Sequence, residues 1–437
     1  MNYNPGQIIL WILAFLILAL LPTAIALTGT LPPAREFWVE FGALLGFLGL
    51  AILNLQFVIT GRFRWFAAGF GLDNLLRFHK QMGIFALLLV LAHPGILFVA
   101  DPVFLEYLDP RVNAPRAVSL TFVTLAAIVL VASSLWRLTF SLSYEKWRLL
   151  HGVLSFAILF FGLGHVLMVD HYGAPLWKNG AFVAMSGAAM YLVFHSRLAR
   201  PLLMRRKPYR IDELRPERNQ CWTLVIEPEG HPGMNFRAGQ FVWLTVGDSP
   251  FSLQQHPFSI ASSQAQKKIE LTVKELGDFT NSVKNIPPGT RAWLEGPYGS
   301  FYSEGAAGGF VFLAGGVGIT PIMSLLRTAH ERGSKKPHIL IYGNTTWEAI
   351  LFRDEIDEMK TRMSLEVVHV LEEPPQEWTG EKGFIDREVL DRHLPENCGR
   401  YEYFISGPTA MMNLTESILR RKKISAPSIY TERFDMV

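Results

Sequence analysis

The chain has 437 residues, half of them hydrophobic, and its 41 Lys and Arg against 38 Asp and Glu leave a formal net charge of +3. That excess is too small and too dispersed for a nucleic-acid-binding protein. Two cysteines, Cys221 and Cys398, are too few for a four-cysteine iron–sulfur cluster, and each reads as an ordinary partly buried thiol.

Nearly all the long apolar runs fall in the first two hundred residues. Six of them, at about 8–27, 37–59, 78–99, 118–138, 146–168 and 180–198, approach the ~20 residues that a membrane-crossing helix needs. Ala24-Ile25-Ala26 resembles a signal-peptide cleavage site, but no Lys or Arg precedes the first span and its apolar run is long, so it reads as a retained helix. Basic residues mark one side. Arg62, Arg64, Arg77 and Lys80 lie between spans two and three, Arg137, Lys146 and Arg148 between four and five, and Arg205, Arg206 and Lys207 after six. The opposite loops hold only Arg35, Arg111, Arg116 and Lys178. The positive-inside rule then predicts a multi-pass protein of the cell membrane with both termini cytoplasmic.

Spans three and five each carry two histidines, His79 and His93 in one and His151 and His165 in the other. The separations are equal, since 93−79 and 165−151 both give 14. Fourteen steps of ~100° fall roughly 40° short of four turns, so each pair shares a helix face with its members about 21 Å apart along the axis. A single buried histidine is often only an interhelical hydrogen-bond donor. Two pairs at matched heights instead suggest axial ligands from facing helices to two b-type haems, His79 with His151 at the inner level and His93 with His165 at the outer. The residues between them on the shared faces, Gly83, Ala86 and Val90 and then Ser155, Ile158 and Gly162, are mostly small and leave room for a flat macrocycle.

After Pro201 the composition changes. Strand-like segments at Cys221–Ile226, Phe241–Val246 and Ile269–Val273, separated by Gly and Pro, predict a small antiparallel barrel. From about 305 strands alternate with helices: Phe310–Ala314, His338–Tyr342, Glu366–Val370 and Tyr401–Ser406, the pattern of a parallel sheet with crossovers. The first of these runs into Gly315-Gly316-Val317-Gly318-Ile319-Thr320-Pro321, with Thr320 placed to cap the next helix and Pro321 suited to its first turn. Glycines there would let backbone N–H groups approach a diphosphate at the helix amino-terminus, although Pro321 stands where the dinucleotide fingerprint has its last glycine.

His256-Pro257-Phe258-Ser259-Ile260-Ala261-Ser262 resembles the flavin-binding motif of the ferredoxin–NADP reductase superfamily, in the form found in ferric reductases and NAD(P)H oxidases. In order around it stand Ala238-Gly239-Gln240-Phe241, Gly277-Asp278-Phe279-Thr280, Glu295-Gly296-Pro297-Tyr298-Gly299, the glycine turn, Ser406-Gly407-Pro408 and the closing Thr431-Glu432-Arg433-Phe434. The resemblance implies a six-helix transmembrane haem domain at 1–205, a flavin-binding antiparallel β-barrel at 206–304 and an α/β nucleotide-binding domain at 305–437. It implies that His256, Pro257, Phe258 and Ser259 lie along the FAD isoalloxazine, with the Ser259 hydroxyl on the N5 side. Asp278, Phe279, Thr280 and Asn281 then meet the FAD diphosphate. Gly315, Gly316, Gly318, Thr320 and Pro321, with Ser406, Gly407 and Pro408, receive NAD(P)H, and Phe434 is the aromatic that covers the flavin until nicotinamide displaces it. Many NAD(P)H oxidases have cysteine where Ser406 stands. After Tyr342-Gly343-Asn344 no Arg or Lys appears until Arg353, so NADH and NADPH both remain candidate donors.

The expected function is a transmembrane oxidoreductase that passes electrons from cytoplasmic NAD(P)H through FAD and two haems to an outer acceptor. The acceptor is oxygen, giving superoxide, or alternatively a ferric chelate. His171 with Arg111 or Arg116 would lie near that outer face. Beyond the lipid bilayer, the nucleotide and the acceptor, no obligatory protein partner is expected. Two rival readings are a membrane-tethered flavin reductase without haem and a proton channel in which the histidines relay protons.

Overall fold

The computed structural model describes residues 5–29, 31–62, 72–137, 139–173, 175–303 and 307–433. The chain forms two compact units, one of residues 6–62 and 74–199 and the other mainly from Arg200 onward.

In the first unit every predicted span is a helix: α1 Pro5–Ala26, α2 Phe37–Thr60, α3 Leu72–Ala100, α4 Pro110–Leu135, α5 Tyr144–Leu167 and α6 Leu176–Phe194. Among the described residues these six helices are long and apolar enough to cross a membrane. Helix α4 begins eight residues before the apolar run does, because Asp109 caps it by accepting from the Arg111 N–H at 2.9 Å and Pro110 suits its first position. Extended backbone at Asn113 (φ −154°) separates this polar lead-in from the apolar helix. Large side chains such as Leu88, Leu125 and Val153 point outward and exposed, which suits a lipid environment.

Helix α2 is the most enclosed of the six, with half of its apolar window buried. Its Asn54 side chain donates to Ser186 Oγ of α6 at 3.3 Å and to the Leu50 carbonyl at 3.0 Å. Lys178, counted from sequence as a loop residue, is instead 1% exposed inside the unit. Its ammonium donates to the Ala26 carbonyl at 2.7 Å, placing a positive charge on the last turn of α1, where the helix dipole is negative.

The second unit holds two six-stranded sheets. The antiparallel one comprises β1 Tyr209–Pro216, β2 Cys221–Pro228, β3 Phe241–Val246, β4 His256–Ser259, β5 Ile269–Lys274 and β6 Arg291–Tyr298, in the order β4-β3-β6-β1-β2-β5. It curls, and the Ile260–Leu271 bridge joins its two edge strands just beyond β4. Ile211, Leu224, Ile226, Leu244, Ile269 and Leu271 fill the interior. The short helix α7 (Asp278–Ser282) follows β5.

The parallel sheet comprises β7 Gly309–Gly315, β8 His338–Asn344, β9 Leu365–Leu371, β10 Glu381–Lys382, β11 Tyr401–Ser406 and β12 Ile429–Glu432, ordered β10-β9-β8-β7-β11-β12. Helices α8 (Ile319–Glu331), α9 (Arg353–Arg362), α10 (Arg387–His393) and α11 (Thr409–Arg421) complete the crossovers. Both faces are apolar, Phe312, Leu340 and Phe404 on one and Leu313, Ile341 and Ile405 on the other, as a sheet covered on two sides requires. Arg327 of α8 ties the sheets together, donating to Glu270 Oε2 at 2.8 Å and the Ala261 carbonyl at 2.9 Å while gripping Glu355 through Nε and Nη2.

Candidate functional site

The four histidines of α3 and α5 meet in pairs. His79 and His151 have ring centres 6.0 Å apart, and His93 and His165 have theirs 6.2 Å apart. An imidazole nitrogen lies about 1.1 Å from the ring centre and a transition metal binds it at about 2.0 to 2.1 Å, so two rings sharing one ion from opposite sides would stand about 6.2 to 6.4 Å apart. The pairs stand at 6.0 and 6.2 Å, close to that separation. None of the described hydrogen bonds links the two rings of a pair. The Nδ1 atoms of His79 and His165 are buried without a partner, whereas His93 Nδ1 donates to the Gly42 carbonyl at 2.7 Å and His151 Nδ1 contacts Ser134 Oγ at 3.1 Å. Arg116 stands in electrostatic reach of His165, and Arg197 of His151.

Of the residues considered for the outer face, Arg111 does not reach this site. It turns back on Asp109 at 2.8 Å with its side chain 89% exposed. Arg116 is folded over the Tyr107 ring, 3.8 Å from its centre. His171 lies 3.9 Å from Glu40, which also accepts from Arg35 and from the Tyr172 hydroxyl.

In the antiparallel sheet, His256, Pro257, Phe258 and Ser259 form edge strand β4 whole, paired with Leu244, Trp243, Val242 and Phe241 of β3. Residues 238–241 and 295–299 adjoin them: Gln240 Nε2 donates to the Gly299 carbonyl at 3.2 Å, and Phe241 and Tyr298 have ring centres 5.8 Å apart. Gly239 (φ +88°) passes so close to the Phe301 carbonyl that a Cβ would lie 1.8 Å from its oxygen. The Ser259 hydroxyl is buried without a partner, an unsatisfied group of the kind a ligand's polar edge would satisfy. Phe279 stacks on the His256 ring, with centres 4.0 Å apart and planes 12° apart. Asp278 is exposed beside it. The Thr280 hydroxyl is taken up locally, accepting from the Leu276 and Gly277 N–H groups at 2.9 and 2.8 Å.

The glycine turn and Ser406-Gly407-Pro408 end neighbouring parallel strands, with Ala314 in register with Ser406. Strands β7 to β9 proceed one way across the sheet and β11 and β12 lie on the other side of β7, so the two segments flank the topological switch point, where open α/β sheets bind ligands. They approach closely: a Cβ on Gly318 would stand 2.4 Å from the Ser406 carbonyl oxygen. Ser406 Oγ is fully buried without a partner, and Tyr342 donates to the Gly316 carbonyl at 3.0 Å beneath the turn. One expectation is corrected. Thr320 does not cap α8, which begins at Ile319 with Gly318 in the cap position. Its hydroxyl donates to the Val317 carbonyl at 2.7 Å, because a threonine already in helical geometry reaches back along the chain. Pro321 follows it within the first turn.

Arg353, the first basic residue after β8, donates to the Trp347 carbonyl at 3.1 Å and lies over that indole at 4.5 Å. Burial pushes the Cys221 thiol up to about 11, which keeps it protonated, and Cys398 donates to the Pro395 carbonyl at 2.8 Å. Phe434 lies outside the described residues.

Three family models match the chain: "Ferric reductase like transmembrane component" at residues 45–162, "FAD-binding domain" at 223–301 and "Oxidoreductase NAD-binding domain" at 312–417. NADH-cytochrome b5 reductase 1 of Debaryomyces hansenii is 27% identical over 248 residues, 54% of this chain and 87% of that protein. NADH-cytochrome b5 reductase 1 of Dictyostelium discoideum is 30% identical over 39% of this chain, which spans 62% of its length. Among solved structures, flavohemoglobin from Malassezia yamatoensis is 18% identical with a TM-score of 0.49, covering 81% of this chain and 98% of that one.

A membrane component that precedes FAD-binding and NAD-binding domains defines a multi-pass, NAD(P)H-dependent oxidoreductase. The domain series matches the ferric reductase and NADPH oxidase superfamily.

Proposed function

We propose that this chain conducts electrons across a membrane, from NAD(P)H to FAD and then through two b-type haems to an acceptor on the opposite side. What carries the reading is the pairing of His79 with His151 and of His93 with His165, at 6.0 and 6.2 Å, on the same two helices of one chain. We assign the membrane part to residues 1–205, the FAD-binding part to 206–304 and the NAD(P)-binding part to 305–437, in a cell-membrane protein with cytoplasmic termini.

Bound FAD would supply the conversion of a two-electron hydride donor into single electrons, and the haems a path for them through the hydrocarbon. The protein's residues hold and orient. The backbone of Gly315, Gly316 and Gly318 admits the dinucleotide diphosphate at the start of α8, and Ser406 presents its hydroxyl next to that turn. His256 and Phe258 offer a ring surface, and the Ser259 hydroxyl exchanges hydrogen bonds with the flavin edge. His79, His93, His151 and His165 would hold the haems through their imidazole nitrogens. Phe434 is assigned the role of covering aromatic.

Oxygen reduced to superoxide is the favoured outcome. A ferric chelate is the second acceptor, favoured by the match of residues 45–162 to a ferric reductase-like component. NADH is the favoured donor, because Arg353 is engaged by Trp347 and the curated relatives are named for NADH. Purified protein carrying b-type haem, assayed for superoxide and for ferric-chelate reduction with NADH and NADPH in turn, tests each part; protein without haem absorbance would refute the conduit.

A further inference from the structure

Each histidine pair is built asymmetrically, and the hydrogen count shows how. Ser134 of α4 has a single O–H, and its oxygen lies 2.6 Å from the Leu130 carbonyl, which can only accept. The hydroxyl proton is therefore spent on Leu130. Toward its other two neighbours Ser134 is an acceptor. One is Trp147 Nε1, at 3.3 Å, which only donates. The other is His151 Nδ1, at 3.1 Å. His151 must then carry its proton on Nδ1, leaving the Nε2 lone pair for a ligand. Ser134 is saturated, with one bond given and two received.

At the other level the same result is reached with backbone. The Gly42 carbonyl accepts from His93 Nδ1 at 2.7 Å, so His93 is also the Nδ1–H tautomer. Helix α3 can approach α2 this closely only because Gly46 has no side chain: a Cβ there would lie 2.9 Å from His93 Nδ1. Among the described residues, His79 and His165 have no such anchor on Nδ1.

Resting on the reading that these pairs hold haem, we propose that Ser134 and the Gly42–Gly46 seat are positioning elements that lock one axial histidine per site, His151 at the inner site and His93 at the outer, in the ligating tautomer. The locked rings sit on different helices, α5 and α3. A hydrogen bond from Nδ1–H makes an imidazole a stronger electron donor and favours the oxidised metal.

The test is a redox titration of full-length protein in detergent, with optical and EPR detection resolving the two low-spin haems. Ser134→Ala should raise the reduction equilibrium constant of the inner haem about tenfold, roughly 59 mV for one electron, and leave the outer haem unmoved. Ser134→Thr, which keeps the hydroxyl, should restore it. Gly46→Ala should shift or empty only the outer site. If Ser134→Ala loses haem, loss confined to the inner site supports the assignment and loss confined to the outer site overturns it. Equal effects on both haems, or none on either, would overturn it. Nitrogen-15 chemical shifts of histidine-labelled, haem-free protein report the tautomers separately: Nδ1–H at His151 and His93 is expected, and Nε2–H at either refutes the lock. Wild-type protein that never acquires haem would refute the conduit instead, while those shifts would still decide the tautomers.

Discussion

The imidazole of His256 lies flat on the ring of Phe279, with centres 4.0 Å apart and planes inclined by 12°. One residue comes from edge strand β4 and the other from α7, so this contact ties the segment after β5 to the strand proposed to face the flavin. Such aromatic pairs contribute roughly 0.5 to 1.5 kcal/mol beyond area burial. Phe279→Ala should therefore weaken FAD retention up to about tenfold, while Phe279→Tyr keeps it. The flavin-to-protein ratio after dialysis measures the effect. Haem content should not change.

At the switch point of the parallel sheet, a methyl group on Gly318 would meet backbone atoms, the Ser406 carbonyl oxygen at 2.4 Å, its carbon at 2.6 Å and Gly407 Cα at 2.7 Å. None belongs to a flexible side chain. Overpacking of this kind costs about 1 to 3 kcal/mol, and here it would force the glycine turn away from Ser406. Gly318→Ala is expected to lower kcat/KM for NAD(P)H at least tenfold, with bound FAD retained. Steady-state kinetics alongside flavin absorbance separates that outcome from simple unfolding.

His369 gives the nucleotide-binding sheet a pH signature. Burial beside Trp347 and Tyr342 pushes its imidazole from 6.5 down to about 4. The folded state thus binds fewer protons than the unfolded state between those values, and its stability falls as pH drops from about 6.5 to about 4. The loss is on the order of 2 to 3 kcal/mol when complete. Thermal unfolding of His369→Gln protein followed by circular dichroism should show a shallower decline across that window.

Removing one histidine should empty one site only. His151→Ala is expected to halve the haem-to-protein ratio measured as the pyridine adduct, and His165→Ala to do the same. His151→Ala combined with His165→Ala should leave none. FAD content should stay at the wild-type level in all three, because the flavin motifs lie in the second compact unit.

The pairing of the histidines was legible because an imidazole is conspicuous in an apolar helix and the 14-residue spacing repeats. Ser134 and Gly46 were not. In a membrane helix a serine or glycine reads as a small packing residue, and only the neighbours' coordinates reveal a hydrogen bond to His151 or space for His93. The parallel sheet emerged from Phe310–Ala314, His338–Tyr342 and Tyr401–Ser406, whereas β10, two residues long, and β12, four, are too short for a periodic signal. Thr320 misled because a hydroxyl one residue inside a helix has a carbonyl within reach as well as an N–H. Lys178 misled differently: a lysine near the end of an apolar run reads as an interfacial loop cation, until the Ala26 carbonyl supplies a buried partner.

Vesicles reconstituted with FAD- and haem-loaded protein offer the most direct measurement of the conduit. NADH is added outside and a membrane-impermeant one-electron acceptor is trapped within. Electron conduction predicts that the trapped acceptor is reduced as NADH is consumed, and that His79→Ala or His93→Ala stops the reduction while NADH reduction of the flavin persists. Reduction only of acceptor on the NADH side, at a rate indifferent to those substitutions, would contradict it.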